Sequence, residues 1–344
     1  MGTMMVDLSF RVPARTLLAL LTAGLGLVGG TSVRAQAGAL AFAPPAAAMP
    51  AAPEIAARAY ILQDLASRQT LAERQADQPL PPASLTKLMS AYLVFQALDA
   101  QQLRLDQTVP ISERAWRSGL NGPVRGEASV GSRVRVDELI RRMAVHNAND
   151  ATVALAEAVA GSVERFVERM NRQAELFGLR ATHFTNPDGA AVRGHVSSAR
   201  DLSVIAARLL TDYPAALPNY GLKSLTVNGL AQANPNLLLQ RDPTVDGLQT
   251  GYSESGGYGL VATSRRPAAG GERRLISVVL GATSSETRAG ESQKLLNWGY
   301  SAFDVVKLFD AGQPVALAPV WKGREATVPL GRPEPLVVVV PRGQ

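Results

Sequence analysis

The chain of 344 residues has no cysteine and only three histidines, His146, His183 and His195. Without cysteine there are no disulfides, no thiol nucleophile and no thiolate metal site. The histidines show no metal-ligand spacing, which argues against zinc and against a serine–histidine triad. No metal and no cofactor is therefore expected. Lysine is scarce as well. Of the 35 basic residues only Lys87, Lys223, Lys294, Lys307 and Lys322 are lysines, and the remainder are arginines. The formal net charge of +6 is modest and spread along the chain, so nucleic acid is not an expected partner.

The scarcity of lysine gives weight to one of them. In Ser84-Leu85-Thr86-Lys87 a serine precedes a lysine by three residues, at the start of an apolar helical run. One helical turn is 3.6 residues, so the two side chains share a face. The hydroxyl would stand at a helix N-terminus, where free N–H groups favour developing negative charge. The amine lies within reach and can take the hydroxyl proton if burial lowers its pKa. Arginine cannot act as a base, and this chain uses arginine wherever charge alone suffices. By chance roughly 0.3 such pairs would occur in a chain of this composition, so an exposed serine and lysine on a helix is the plain alternative.

Residues 1–37 read as a secretory signal: Arg11 and Arg15, the uncharged apolar run Thr16 to Val28, and the small-x-small site Ala35-Gln36-Ala37. The run is short of the roughly 20 residues that a membrane-spanning helix needs. Loss of Arg11, Arg15, Arg34 and Asp7 with this leader takes the net charge from +6 to +4. Residues 38–56 are rich in alanine and proline and read as an extended spacer.

Beyond the spacer, Ala59 to Leu62 reads as a strand, with Thr70 to Ala72 pairing across a turn near Ser67. Pro81-Pro82 break the chain before a helix over Ser84 to Leu98. Helices are expected over Val136 to Val145, Asp150 to Val159, from a Ser162 cap to Gly178, and over about Asp201 to Leu210. The pattern then changes to strands at Val245 to Thr250, Tyr258 to Ser264 and Leu275 to Leu280, followed by a helix over Glu291 to Phe303. Strands, helical block, strands and helix predict an α+β fold whose terminal segments share one antiparallel sheet. The runs Val315 to Leu317, Ala326 to Val328 and Leu336 to Val340 form a β-rich tail too small to fold by itself. Either it docks on the main domain or the chain stops inside a second one.

Pro82-Ala83-Ser84-Leu85-Thr86-Lys87, Asn149-Asp150-Ala151, Ser197-Ser198-Ala199-Arg200-Asp201, Val245-Asp246-Gly247, Thr250-Gly251 and the segment Glu291 to Gly299 stand in a recognisable order. Over residues 57–344 the chain resembles the low-molecular-mass penicillin-binding proteins that act as D-alanyl-D-alanine carboxypeptidases. These belong to the penicillin-recognising serine hydrolases, whose motifs are S-x-x-K, S-D-N and K-T-G. The resemblance implies a β-lactamase/transpeptidase-like catalytic domain over 57–304, with the site in the cleft between sheet and helical block. Residues 305–344 would begin a β-rich C-terminal domain that is cut short. Ser84 would be acylated by a peptidoglycan stem peptide ending in D-Ala-D-Ala, releasing D-alanine, and water would hydrolyse the acyl-enzyme. Lys87 would be the base, Asn147 and Asn149 would complete the catalytic set, and the N–H groups of Ser84 and Tyr252 would form the oxyanion hole. Gln249, Thr250, Gly251 and Arg288 would bind substrate, and β-lactams would acylate the same serine. The protein would be exported to the periplasm, with at most a peripheral association with the inner membrane.

Three features depart from the family pattern. Asn147 stands where the family usually has a serine, and an amide does not readily shuttle protons. Gln249 stands where it usually has a lysine, so a positive charge is missing beside the substrate carboxylate. No amphipathic anchor closes the chain, which ends at Pro341-Arg342-Gly343-Gln344. The first two leave open a slow or non-catalytic peptidoglycan- and penicillin-binding relative, and also an endopeptidase. A β-lactamase is disfavoured because no Glu-x-x-Leu-Asn segment lies between the second and third motifs.

Overall fold

The computed structural model describes residues 49–120, 128–268 and 271–343. The expected leader (1–37) and the first part of the spacer lie outside the described residues. Residues 49–56 form neither helix nor strand, and Ile55 within them is buried.

The chain enters through β1 (Ala59–Asp64) and β2 (Thr70–Arg74), whose turn is closed by Ser67 N donating to Asp64 Oδ1 at 2.9 Å. After Pro81-Pro82 a 3-10 turn (Ala83–Thr86) leads into α1 (Lys87–Asp99). Nearly every side chain of α1 is buried, as expected of a helix that is apolar on all faces. β3 (Thr108–Pro110) and β4 (Arg133–Arg135) pair on either side of α2 (Glu113–Leu120). α3 (Val136–His146) and α4 (Asn149–Ala160) are separated only by Asn147 and Ala148. α5 (Val163–Leu176) and α6 (Ala199–Asp212) are capped by Ser162 and Ser198, whose hydroxyls accept from Arg165 N at 3.2 Å and Asp201 N at 3.1 Å.

A short α7 (Leu217–Tyr220), the hairpin of β5 (Ser224–Val227) and β6 (Leu230–Ala233), and a short α8 (Leu238–Arg241) return the chain to the sheet. β7 (Val245–Ser253), β8 (Gly257–Ala268) and β9 (Gly271–Ala282) form an antiparallel meander, and α9 (Ser285–Ala302) follows. The last strands are β10 (Phe303–Phe309), β11 (Pro314–Pro319), β12 (Thr327–Gly331) and β13 (Leu336–Pro341).

The central sheet has the order β2-β1-β9-β8-β7, with every pairing antiparallel. The terminal segments therefore share it, as the order of elements predicts. Alternate residues leave opposite faces of a strand. Ile61, Val261 and Ile276 join the core of the helical block with Leu202 and Ile205 of α6. Leu62, Leu260 and Leu275 face Leu295 and Leu296 of α9. The architecture is helix, sheet and helical block in three layers.

Several boundaries differ from the sequence reading, and the sheet strands run longer than expected. α9 begins at Ser285 rather than Glu291, because Ser284 caps it by accepting from Thr287 N at 2.9 Å. Gly290, which disfavours helix on propensity, lies inside the added turn. Ser84 lies on the 3-10 turn, so Lys87 is the first residue of α1. The unforeseen β10 supplies a partner for β13, with Asp304 opposite Val340. That strand also docks on the first hairpin: Val339 N donates to Gln69 Oε1 at 2.5 Å, and Gln69 Nε2 donates back to Val339 O at 3.3 Å. The end of the tail thus rests on the main domain. Among the described residues no helix is long and apolar enough to cross a membrane.

Gly299 shows how closely α9 seats on the sheet. A Cβ there would come within 2.6 Å of Leu62 and 2.8 Å of Leu275. Gly299→Leu should therefore destabilise the domain by about 1–3 kcal/mol through overpacking, while Gly290→Ala, which meets no neighbour within 4 Å, should not. Urea unfolding of both variants measures the difference, and equal midpoints would refute the packing argument.

Candidate active site

Three segments converge beside the N-terminus of α1. The first is the 3-10 turn that carries Ser84. The second is the turn between α3 and α4, where Asn147 adopts a left-handed backbone (φ 56°) that asparagine tolerates better than most residues. The third is the Thr185–Gly189 turn, closed by Gly189 N donating to Asn186 Oδ1 at 2.7 Å. Gly189 has φ +84°, and a Cβ there would lie 1.9 Å from the carbonyl oxygen of Ala83. Only glycine fits this contact. β7 closes the other side. A Cβ on Gly251 would be 3.0 Å from Pro82 O and 3.3 Å from Leu85 N, so the Gly251-Tyr252 end of the strand abuts the serine's turn.

Lys87 is wholly buried beneath these segments. Its Nζ lies 3.1 Å from Ser84 Oγ, 2.8 Å from Asn149 Oδ1 and 2.6 Å from the Asp188 carbonyl oxygen. Burial lowers its pKa to about 8, against the opposing pull of the Asp188 charge. Above it opens a cavity of about 910 Å³ lined by Ser84, Asn147, Asn149, Thr250, Gly251, Tyr252 and Arg288, among others.

Asn147 Nδ2 donates to Thr250 Oγ1 at 3.0 Å. Gln249 does not line the cavity; its Nε2 donates to Asn147 Oδ1, and its own Oε1 is buried without a hydrogen-bond partner among the described residues. The two positions that depart from the family pattern are therefore in direct contact. Arg288 is buried in the first turn of α9. Its Nη1 donates to Gly251 O at 2.9 Å and Gly259 O at 3.3 Å, and its Nη2 to Pro235 O at 3.2 Å. Burial lowers its pKa to about 10. Tyr252 is half exposed at the rim and lies with its ring centroid 4.4 Å from that of Tyr258.

The family model for D-alanyl-D-alanine carboxypeptidases matches residues 46–284. The chain belongs to the D-alanyl-D-alanine carboxypeptidase family. Residues 303–344 match the C-terminal domain of penicillin-binding protein 5. The chain is 40% identical over 298 residues to the D-alanyl-D-alanine carboxypeptidase DacC of Escherichia coli, covering 85% of this chain and 73% of that protein. Penicillin-binding protein 5 from Haemophilus influenzae superimposes with a TM-score of 0.78 at 37% identity, covering 86% of this chain and 85% of that one. Penicillin-Binding Protein D2 from Listeria monocytogenes, solved in a cefotaxime-bound form, matches with a TM-score of 0.63 at 29% identity over 73% of this chain and all of that one. The α+β fold of the family is thus the fold of this chain.

Two members of the site escape a reading of family motifs. The Asp188 carbonyl reaches Lys87 from a turn whose Asn186-Pro187-Asp188-Gly189 signature is visible in the sequence, although its target is not. His195 braces the same turn. Its Nδ1 accepts from Thr185 N at 3.0 Å, so Nε2 carries the proton and donates to Thr86 Oγ1 at 2.7 Å. Burial, with smaller contributions from His183 and Lys87, lowers the His195 pKa from 6.5 to about 4.

Between those two values the unfolded chain binds the proton that folded His195 refuses, so stability rises with pH through that window. The contribution is complete above about 6.5 and is lost as pH falls towards about 4. Thermal midpoints measured from pH 7 to pH 4.5 should fall more steeply for the wild type than for His195→Gln. Identical slopes would mean that His195 is not the group resisting protonation.

Proposed function

We propose that this protein is a serine-type D-Ala-D-Ala carboxypeptidase that removes the terminal D-alanine of peptidoglycan stem pentapeptides. The observation that carries this reading is the environment of the Lys87 amine. A neutral amine has two hydrogens and one lone pair. Asn149 Oδ1 and the Asp188 carbonyl take the two hydrogens, which leaves the lone pair on Ser84 Oγ at 3.1 Å. Burial supplies the neutral form without a neighbouring cation.

Lys87 takes the Ser84 proton as Oγ attacks the carbonyl of the penultimate D-alanine. The N–H groups of Ser84 and Tyr252 hold the oxyanion. Lys87 then passes the proton to the departing amine of D-alanine. Asn147 cannot carry that proton; its amide instead orients Thr250. Thr250, Gly251 and Arg288 hold the terminal carboxylate, and Gln249 acts through Asn147. Of the five N–H groups of Arg288, two remain after its bonds to backbone carbonyls. A β-lactam acylates Ser84 by the same attack. The protein works in the periplasm after removal of residues 1–37. Its catalytic domain spans 57–304 after the 38–56 spacer, and the β-rich region starts at 305.

Ser84→Ala should abolish covalent labelling by penicillin and leave the fold intact. Lys87→Arg should do the same, since it keeps the charge but removes the base. Undiminished labelling of either variant, read by mass spectrometry, would place the nucleophile or its base elsewhere. The wild-type acylation rate should rise with pH through about 8, because only the neutral amine is competent. At pH 7 roughly one molecule in ten is ready to react.

Gln249→Lys should raise kcat/KM for a substrate with a free carboxylate by roughly 5–150-fold, equivalent to ~1–3 kcal/mol. The new ammonium can still donate to Asn147 while adding the missing charge. Release of D-alanine by both proteins at fixed ionic strength tests this. No gain would mean that the amide pair recognises a terminus for which charge is irrelevant.

A further inference from the structure

Resting on this reading, we propose that Asp188 is the catalytic base of deacylation, holding and deprotonating the water that hydrolyses the Ser84 ester. Hydrolysis needs a proton acceptor beside the acyl carbon. The lone pair of Lys87 is a poor choice. Asn149 and the Asp188 carbonyl pin both of its hydrogens, so the lone pair stays on Oγ, which is now the ester oxygen. Among the described residues that line the cavity, only Asp188 and Glu254 carry carboxylates. Glu254 is exposed, whereas Asp188 is 5% exposed.

The Asp188 carboxylate is also under-used. It accepts one long bond, from Ala190 N at 3.5 Å, and forms no ion pair among the described residues. A nearly buried carboxylate with so few partners has open acceptor sites, and water is their natural occupant. Its place is fixed by the neighbouring residue: Gly189 packs against the Ala83 carbonyl and Ser84 N. The charge is close enough to oppose the fall of the Lys87 pKa.

In the step, the water oxygen bonds to the acyl carbon as one of its protons moves to Asp188. The tetrahedral intermediate then collapses, and the Ser84 Oγ–carbon bond breaks. Oγ takes the proton from Asp188 through solvent in the cavity, and Lys87, which gave its own proton to the departing amine, stays neutral throughout. Serine, amine and carboxylate all return to their starting states.

Asp188→Asn keeps the backbone carbonyl that holds Lys87 and removes the base together with its charge. The test is a stopped-flow and mass-spectrometric comparison with penicillin and with a D-Ala-D-Ala peptide. At about pH 9.5, where the Lys87 amine is neutral with or without the Asp188 charge, acylation of Ser84 should stay within a few-fold of wild type, because Lys87 still serves it. The acyl-enzyme should live at least about 100-fold longer, the range expected for loss of a general base. Hydroxylamine, a nucleophile that needs no base, should restore release. An acyl-enzyme that decays at the wild-type rate would overturn the proposal. So would a parallel loss of acylation and deacylation, which would mean that Asp188 acts through the fold or through Lys87. If Asp188→Asn does not fold, Asp188→Ser carries the same expectations. Failure of wild-type Ser84 to acylate would instead remove the carboxypeptidase reading, and it is seen in the same experiment before any variant is compared.

Discussion

The enclosure of one amine organises this molecule. A lysine in a dry interior is costly when charged and reactive when neutral. Lys87 is held at that balance by oxygen atoms from a helix start and from a distant turn, each delivered by a different part of the chain. The constraint extends outward. Gly189 must be glycine for the turn to reach Ala83, and Gly251 must be small for β7 to lie along the serine's turn. His195 then ties the two halves of this floor together through Thr86 and Thr185. Lys87, Ser84 and the nearby backbone N–H groups are held by one packing arrangement.

The two unusual residues of the site explain each other. Gln249 donates to Asn147, and Asn147 donates to Thr250, so the amides form a single directed chain. Each amide alone would leave the other with a further buried group unmet; as a pair they leave Gln249 Oε1 without a partner among the described residues. The exchange is therefore coherent as a pair. Among the described residues Arg288 is then the cation on the β7 side of the cavity, and burial is the dominant influence on Lys87. The exchange also suits the backbone, because an asparagine is at ease in the left-handed conformation found between α3 and α4.

Much of this was legible in the chain itself. Short apolar runs gave the sheet strands, and the serine caps Ser162 and Ser198 marked two helix starts. The Ser84–Lys87 pair followed from helical spacing and from the rarity of lysine. What stayed hidden involved partners far apart in sequence. Gln249 and Asn147 are 102 positions apart, and Lys87 and Asp188 are 101. No local pattern announces that a backbone carbonyl will serve as an amine's acceptor. The start of α9 was masked by Gly290, because local propensity there opposes what packing on the sheet enforces. β10 was missed for a similar reason: its identity comes from its partner, β13, more than from its own residues.

The strand order has a consequence for how the chain reaches this state. β1 lies between β2 and β9, with Ala59 opposite Leu280, so the first strand of the sheet cannot find its inner neighbour until nearly the whole domain has been synthesised. Contacts of that span raise the cost of loop closure and slow folding. A growing polypeptide of this design carries an unpartnered hairpin and an unsupported helical block. It has no finished sheet to resist being pulled straight. The same strand order that delays closure joins the first and last parts of the domain once the sheet is complete.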